Sequence, residues 1–434
     1  MEKRSYAEEH RYWIIPTTVP PSENEALLSG SGVWMRVAGK KYFDACAQVS
    51  CANLGHNHPR FTELMELFWK NARTGDVITS VMGTDFLYEN HSVLELSPVA
   101  LAKRLAPHCF GAENTIFGFH VTGTQAVNVA IRFFRTVTKK PFVISFEKAF
   151  HGRDGEARDV SDSNPVHWDE VPRSGNVFFL PYPETKDDFE RTLQCLNDIP
   201  LKKCAAVIYE PIQGEGGGMR VGNWLAEIEY ILQGEGIFSI SDEIQAGLGR
   251  CGSWWGYQQI RCNPDAIVIG KSLGSGHPIS AVAFKRSRCD VSAFPAGKVS
   301  GTFTMSPVGI AAANFTMHIY EKEKIVQRAE KNADIFSVLL STIITKANSG
   351  GAPYPWRADG AGLYRSIKPV NANWHPDWKK RDSLVQALRD VGVWTLGASR
   401  AYPAVRITPP LIASEEELKF LAEKIGEAIA ITKT

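Results

Sequence analysis

The 434-residue sequence has no apolar run long enough to cross a bilayer, because charged residues, proline or glycine interrupt every hydrophobic stretch. A membrane-spanning protein is therefore not expected. Its eight cysteines include no CxxC pair, the spacing that a zinc site or redox dithiol uses. Cys46 and Cys51, the closest two, read as packing residues, and the set as reduced thiols of a cytoplasmic protein. Net charge is also scarce. Lys and Arg number 48 against 47 Asp and Glu, which leaves a formal +1 and no field to attract nucleic acid or an anionic membrane. The amino terminus is charged from Glu2 and lacks the apolar segment of a signal peptide. No internal repeat or low-complexity tract is visible. The expectation is one catalytic unit of two lobes acting on small molecules.

From about Phe61 to Pro307, short apolar runs at Pro141–Ser145, Cys204–Tyr209, Ile237–Ile240 and Ala266–Ile269 alternate with helix-like patterns. That alternation predicts a mostly parallel sheet covered by helices, an α/β architecture. Before it, Gly32–Val37, a turn at Gly39–Lys41 and Tyr42–Phe43 predict a hairpin. After it come a helix-rich stretch from Val308 to Ser341, a strand over Tyr402–Ile407 and a closing helix from Glu415 to Ile431. Both chain ends together would form a smaller α+β lobe, residues 1–60 and 308–434, beside a large domain of residues 61–307. Proline and glycine punctuate Gly350–Trp356, which reads as a surface loop.

In open parallel sheets ligands bind outside the carboxyl ends of the strands, and four turns there carry suggestive residues. Thr122, Gly123, Thr124 and Gln125 open a helical pattern, offering a phosphate free amides and a positive dipole end, or serving simply as a helix cap. Phe150 and His151 follow an extended run; the ring can stack on a planar group or pack in the core. Asp242, ahead of Glu243 and Gln245, can pair with a protonated ring nitrogen or act as a cap. Lys271, after Gly270, sits at a strand end where it can form an imine with an aldehyde. Gly270–Ser272 also looks like the end of a P-loop, but Asp265 stands where that motif needs glycine, and Ala266–Ile269 fills the intervening loop with a buried strand.

Taken in order and spacing, these turns resemble the fold-type I pyridoxal-phosphate enzymes, specifically the class III (omega) aminotransferases. The resemblance runs from Gly32–Met35 and Leu54–Pro59 through Glu210–Gly217 and Asp242–Arg250 to Arg406–Leu411, nearly the whole chain. It implies pyridoxal 5'-phosphate held as a Schiff base by Lys271, which also moves the proton during transfer. It implies Asp242 on the pyridine nitrogen, Gly123 and Thr124 on the phosphate, Phe150 stacked on the ring and Gln245 near the ring's 3-oxygen. It implies that Thr302 reaches the phosphate of a neighbouring subunit, hence a homodimer with shared sites. Arg406 would bind a substrate carboxylate, and Glu215 would pair with it when an omega-amine occupies the site. The bland alternative for that pair is a structural salt bridge.

The sequence departs from the family's pattern at Val121, Thr122 and Gln125, and more consequentially at Thr304, Met305 and Ser306, where bulkier residues would reshape the substrate entrance. His277, after the glycines that follow Lys271, reads as a surface residue, and Trp356, Trp374 and Trp378 as core filling or specificity elements. The activity implied is ping-pong transfer of an amino group from a primary amine or omega-amino donor to an oxo acid, with 2-oxoglutarate the expected acceptor. A racemase, epimerase or aminomutase of the same family would share Lys271 and Asp242; a non-catalytic cofactor-binding scaffold would have no chemical need for Lys271, Asp242 and Arg406 together.

Overall fold

The structure, a computed structural model, describes residues 6–15, 27–79, 95–167, 172–215, 219–220, 223–349, 355–370, 377–398 and 403–432. At its centre a seven-stranded sheet runs in the order Thr115–His120, Ser280–Lys285, Ala266–Ile269, Phe238–Asp242, Cys204–Tyr209, Phe142–Phe146, Val177–Leu180. Ser280–Lys285 pairs antiparallel to both its neighbours, and the remaining strands run parallel to one another. Cys204–Tyr209 and Ala266–Ile269 are buried at every position, which is why they read as unbroken apolar runs rather than alternating ones. Helix Gly123–Thr138 packs Val127, Ile131 and Phe134 onto the sheet, and Thr122 caps its start by accepting from Gln125 N at 3.2 Å.

The hairpin near the amino terminus forms with Trp34 opposite Phe43, but its turn is Ala38–Gly39, both at positive φ, and Lys40 and Lys41 already belong to the strand. Val393–Trp394 pairs parallel with that same strand, so the two ends of the chain share one sheet. A second small sheet joins Trp356–Ala361, Tyr364–Pro369 and Val405–Ile407. The helix-rich stretch is two helices, Pro307–Lys322 and Ile325–Ser349, parted at Lys324, whose φ is 51°. The closing helix spans Glu415–Thr432. Arg250, fully buried, ties these parts together, donating to Leu363 O, Pro409 O and Asn53 Oδ1.

Two sequence readings change. Trp356 opens a strand and is 1% exposed, because its indole fills the space beside the long helices; residues 350–354 lie outside the described residues, as does Trp374. His277 is half-buried against the Phe61 ring, at 5.6 Å between centroids, and its Nδ1 has no hydrogen-bond partner.

Candidate active site

The carboxyl ends of five strands converge on one cavity of about 180 Å³. Gly123, Thr124, Phe150, Asp242, Gln245 and Lys271 all line it, so six of the sequence-predicted residues meet in one place. Asp242 is the last residue of its strand and turns into the cavity. Its Oδ1 accepts from Ile244 N at 3.0 Å, and its Oδ2 lies 2.8 Å from His151 Nδ1. Glu243, next along, turns into the core instead, where Gly256 N, Tyr257 N and the Ser241 hydroxyl donate to it. Burial pushes the Glu243 carboxyl up to about 7.

Lys271 follows Gly270 with a φ of 45°, a left-handed conformation that lifts its side chain out of the strand direction, and its Nζ donates to Gln245 Oε1 at 3.0 Å. Burial holds its ammonium below the ordinary lysine value, opposed by Cys51 and Asp242. A neutral amine is the form that attacks a carbonyl, so this environment favours the nucleophile. Glu210, at the end of Cys204–Tyr209, accepts from Phe150 N at 2.9 Å and from Gly214 N at 3.0 Å, pinning two loops of the site; burial raises its carboxyl to about 7. Gly152 has a φ of 146°, and a Cβ there would stand 2.7 Å from Thr124 Oγ1, so the chain passes the helix start at a distance only glycine allows.

Arg406 and Glu215 pair at 2.8 Å, the guanidinium 8% and the carboxylate 22% exposed. Burial alone would lower the Arg406 pKa, but Glu215, helped by Tyr364 and Cys46, more than reverses this and holds it above the ordinary value. Arg406 in turn acts electrostatically on Lys271. Thr302 does not line the cavity; it is exposed on a loop whose Gly301 lies beside Gln125. Thr304 is buried and accepts from Gly301 N at 3.0 Å, so the departure there folds the loop on itself. Sequence reading named His151 without a role and gave none to Glu210, Ile244 or Tyr364. Glu210 was flagged by the Glu210–Gly217 motif, whereas nothing local marks Tyr364.

The donor set suits pyridoxal phosphate. The first-turn amides of Gly123 and Thr124 have no intrahelical acceptor by helix geometry, and with the dipole's positive end they would receive an anion. Gln245 Nε2 and His151 Nε2 are buried without partners beside the cavity, so polar atoms there await a bound group.

A parallel-dominated sheet with one reversed strand and a half-buried lysine at a strand's end is the architecture of fold-type I pyridoxal-phosphate enzymes. The family model for aminotransferase class-III matches residues 27–429, and the chain belongs to that family; it is a pyridoxal-phosphate-dependent aminotransferase. It is 27% identical over 436 residues to diaminobutyrate--2-oxoglutarate aminotransferase of Rhizobium meliloti, covering 93% of this chain and 87% of that one. It is 26% identical over 423 residues to the alanine/serine racemase of Pyrococcus horikoshii, covering 92% and 84%. The taurine:2-oxoglutarate aminotransferase of Bifidobacterium kashiwanohense, solved with pyridoxal phosphate and glutamate, shares the fold at a TM-score of 0.85 and 19% identity, over 100% of this chain and 99% of that one.

Proposed function

We propose that this enzyme takes the amino group of a primary or omega-amine donor and passes it to 2-oxoglutarate, in two half-reactions at the cavity beneath Lys271. The observation that carries this is the Arg406–Glu215 pair beside that cavity: a cation fitted to an oxo-acid carboxylate, with a built-in counter-ion for the half-reaction whose substrate lacks one. Relatives named for diaminobutyrate, 4-aminobutyrate and acetylornithine support a donor with a terminal amine, and two names include 2-oxoglutarate.

Pyridoxal phosphate, when bound, supplies a ring that takes up the electrons freed at the substrate's amine-bearing carbon. Lys271 is its covalent anchor and the base that carries the proton. Asp242, oriented by His151 and Ile244 N, holds the proton on the ring nitrogen. Gly123 and Thr124 take the phosphate, Phe150 stacks on the ring, and Gln245 serves its 3-oxygen. Thr302 completes the phosphate site of a second copy in a homodimer, which fits its exposure outside its own cavity. The large domain spans 61–307 and the small one 1–60 with 308–434; the compartment is the cytoplasm, and neither nucleic acid nor membrane is a partner. Among the described residues no helix is long and apolar enough to cross a membrane.

The test is an absorbance scan of the purified protein. A band near ~410–430 nm, set by the cofactor's own chemistry, should bleach with an amine and return with 2-oxoglutarate. The racemase relative keeps a second reading open: isomerisation of an amino acid with no oxo acid consumed would favour it and sink the transfer.

A further inference from the structure

One face of the sheet formed by Trp356–Ala361, Tyr364–Pro369 and Val405–Ile407 carries polar groups that find no partner. Ser366 stands directly opposite Arg406 in the antiparallel register. Tyr364, two residues earlier, therefore shares the face and is a diagonal neighbour of the arginine, a spacing that aromatic and long side chains bridge. Tyr364 is 0% exposed and its hydroxyl has no hydrogen-bond partner; Ser366 Oγ and Arg406 Nε have none either. Tyr364 Oη lies 2.7 Å from the point a Gly214 Cβ would occupy, and Gln245 Oε1, the acceptor for Lys271 Nζ, lies 2.5 Å from that same point. A hydroxyl from the small sheet thus stands beside Gln245, behind the residues that line the cavity, within electrostatic range of Arg406 and Glu215.

An unpaired buried hydroxyl is unfavourable, and a phenylalanine of the same shape would avoid the penalty. The extra atom is useful once an acceptor enters. We infer that Tyr364 Oη donates a hydrogen bond to the substrate carboxylate taken by Arg406, so that the oxo-acid subsite is a guanidinium fork with a phenol beside it. This rests on the assignment of Arg406 to substrate. While Glu215 occupies Arg406 the phenol has no ligand to bind, so its effect falls on the oxo-acid half-reaction and not on a substrate without a carboxylate.

The experiment compares wild type, Tyr364→Phe and Arg406→Ala, each loaded with pyridoxamine phosphate and mixed with 2-oxoglutarate or with butanal, an acceptor lacking the carboxylate. The melting temperature is read with and without glutarate, an unreactive dicarboxylate. Tyr364→Phe should lower the ratio of kcat/KM for 2-oxoglutarate to that for butanal roughly tenfold, the effect of one hydrogen bond to a charged group. It should melt at or above the wild-type temperature in buffer and gain less from glutarate. Equal losses for both acceptors, or an unchanged ratio while Arg406→Ala collapses it, overturn the inference. An unchanged ratio in Arg406→Ala overturns the underlying assignment instead.

Discussion

Removing the charge of Glu215 while keeping its shape, as Glu215→Gln, should tighten oxo-acid binding. At the 2.8 Å separation of the Arg406–Glu215 pair, Coulomb attraction at an effective dielectric of 20 is roughly 6 kcal/mol. Desolvation offsets most of this, and with the glutamate 22% exposed the net value falls between the surface and buried limits, about 1–2 kcal/mol. An incoming carboxylate must displace Glu215 to reach Arg406, so the substitution returns that amount to binding, a roughly 5- to 30-fold fall in KM for 2-oxoglutarate. The ligand-free protein should pay the opposite sign. Arg406 is left buried without its counter-charge, and the melting temperature should drop by a few degrees, recovering in 2-oxoglutarate. Donors with no carboxylate near Arg406 should bind worse, since a bare guanidinium then faces them. The assays are pre-steady-state half-reactions followed at the cofactor band and thermal melting with and without 2-oxoglutarate. A lowered melting temperature with an unchanged or raised KM for 2-oxoglutarate would make the pair a structural salt bridge and refute the reasoning.

Lys271→Ala should abolish turnover and the ~410–430 nm band together; residual multiple turnover would remove Lys271 from its role. Gly152→Ala forces a Cβ to 2.7 Å from Thr124 Oγ1 and 2.9 Å from Ala157 at a φ of 146°. It should raise the cofactor's dissociation constant roughly tenfold by displacing Thr124, at a strain of about 1–3 kcal/mol, and an unchanged constant in equilibrium dialysis would show that Thr124 does not contact the phosphate. His120, with neither ring nitrogen hydrogen-bonded, is lowered by burial from 6.5 to about 4. Between those values the unfolded chain binds a proton that the folded one does not. The stability from the neutral ring is therefore complete above 6.5 and is lost as pH falls towards 4, about 3 kcal/mol in all. His120→Leu should flatten the stability profile across that window in denaturant titrations, and parallel profiles would show that other groups set the acid sensitivity.

The parallel core was legible because strands buried on both faces leave an unbroken apolar signature: Cys204–Tyr209 and Ala266–Ile269 match their runs to the residue. The hairpin turn was misplaced because Ala38 adopts a left-handed conformation more typical of glycine or asparagine, which no residue-type rule anticipates. Trp356 fills the core, one of the two uses its residue type allowed, but its place at the end of a surface loop was misread, because local punctuation by proline and glycine says nothing about what packs against the next residue. Within the cavity, residues at strand ends could be found by position along the chain. Tyr364 could not, since it arrives from a separate small sheet and only its register with Val405–Ile407 puts it on the face of Arg406.

That division has a physical origin. Strand interiors are specified by apolar burial, a non-directional force that leaves a pattern in one sequence window. The site is specified by directional groups drawn from windows far apart, and each is affordable only because something else is arranged around it. His151 orients Asp242, Glu210 pins the Phe150 and Gly214 loops through their amides, and Gln245 receives Lys271. After these bonds are made, Gln245 Nε2, His151 Nε2, Arg406 Nε and Tyr364 Oη still lack partners in buried surroundings. Buried polar atoms are ordinarily satisfied, so a bound group that supplies partners to these four should stabilise the fold. It follows that ligands able to reach those atoms should raise the melting temperature beyond what their contact area alone gives, and that the increment should shrink stepwise as the orphaned atoms are removed one by one.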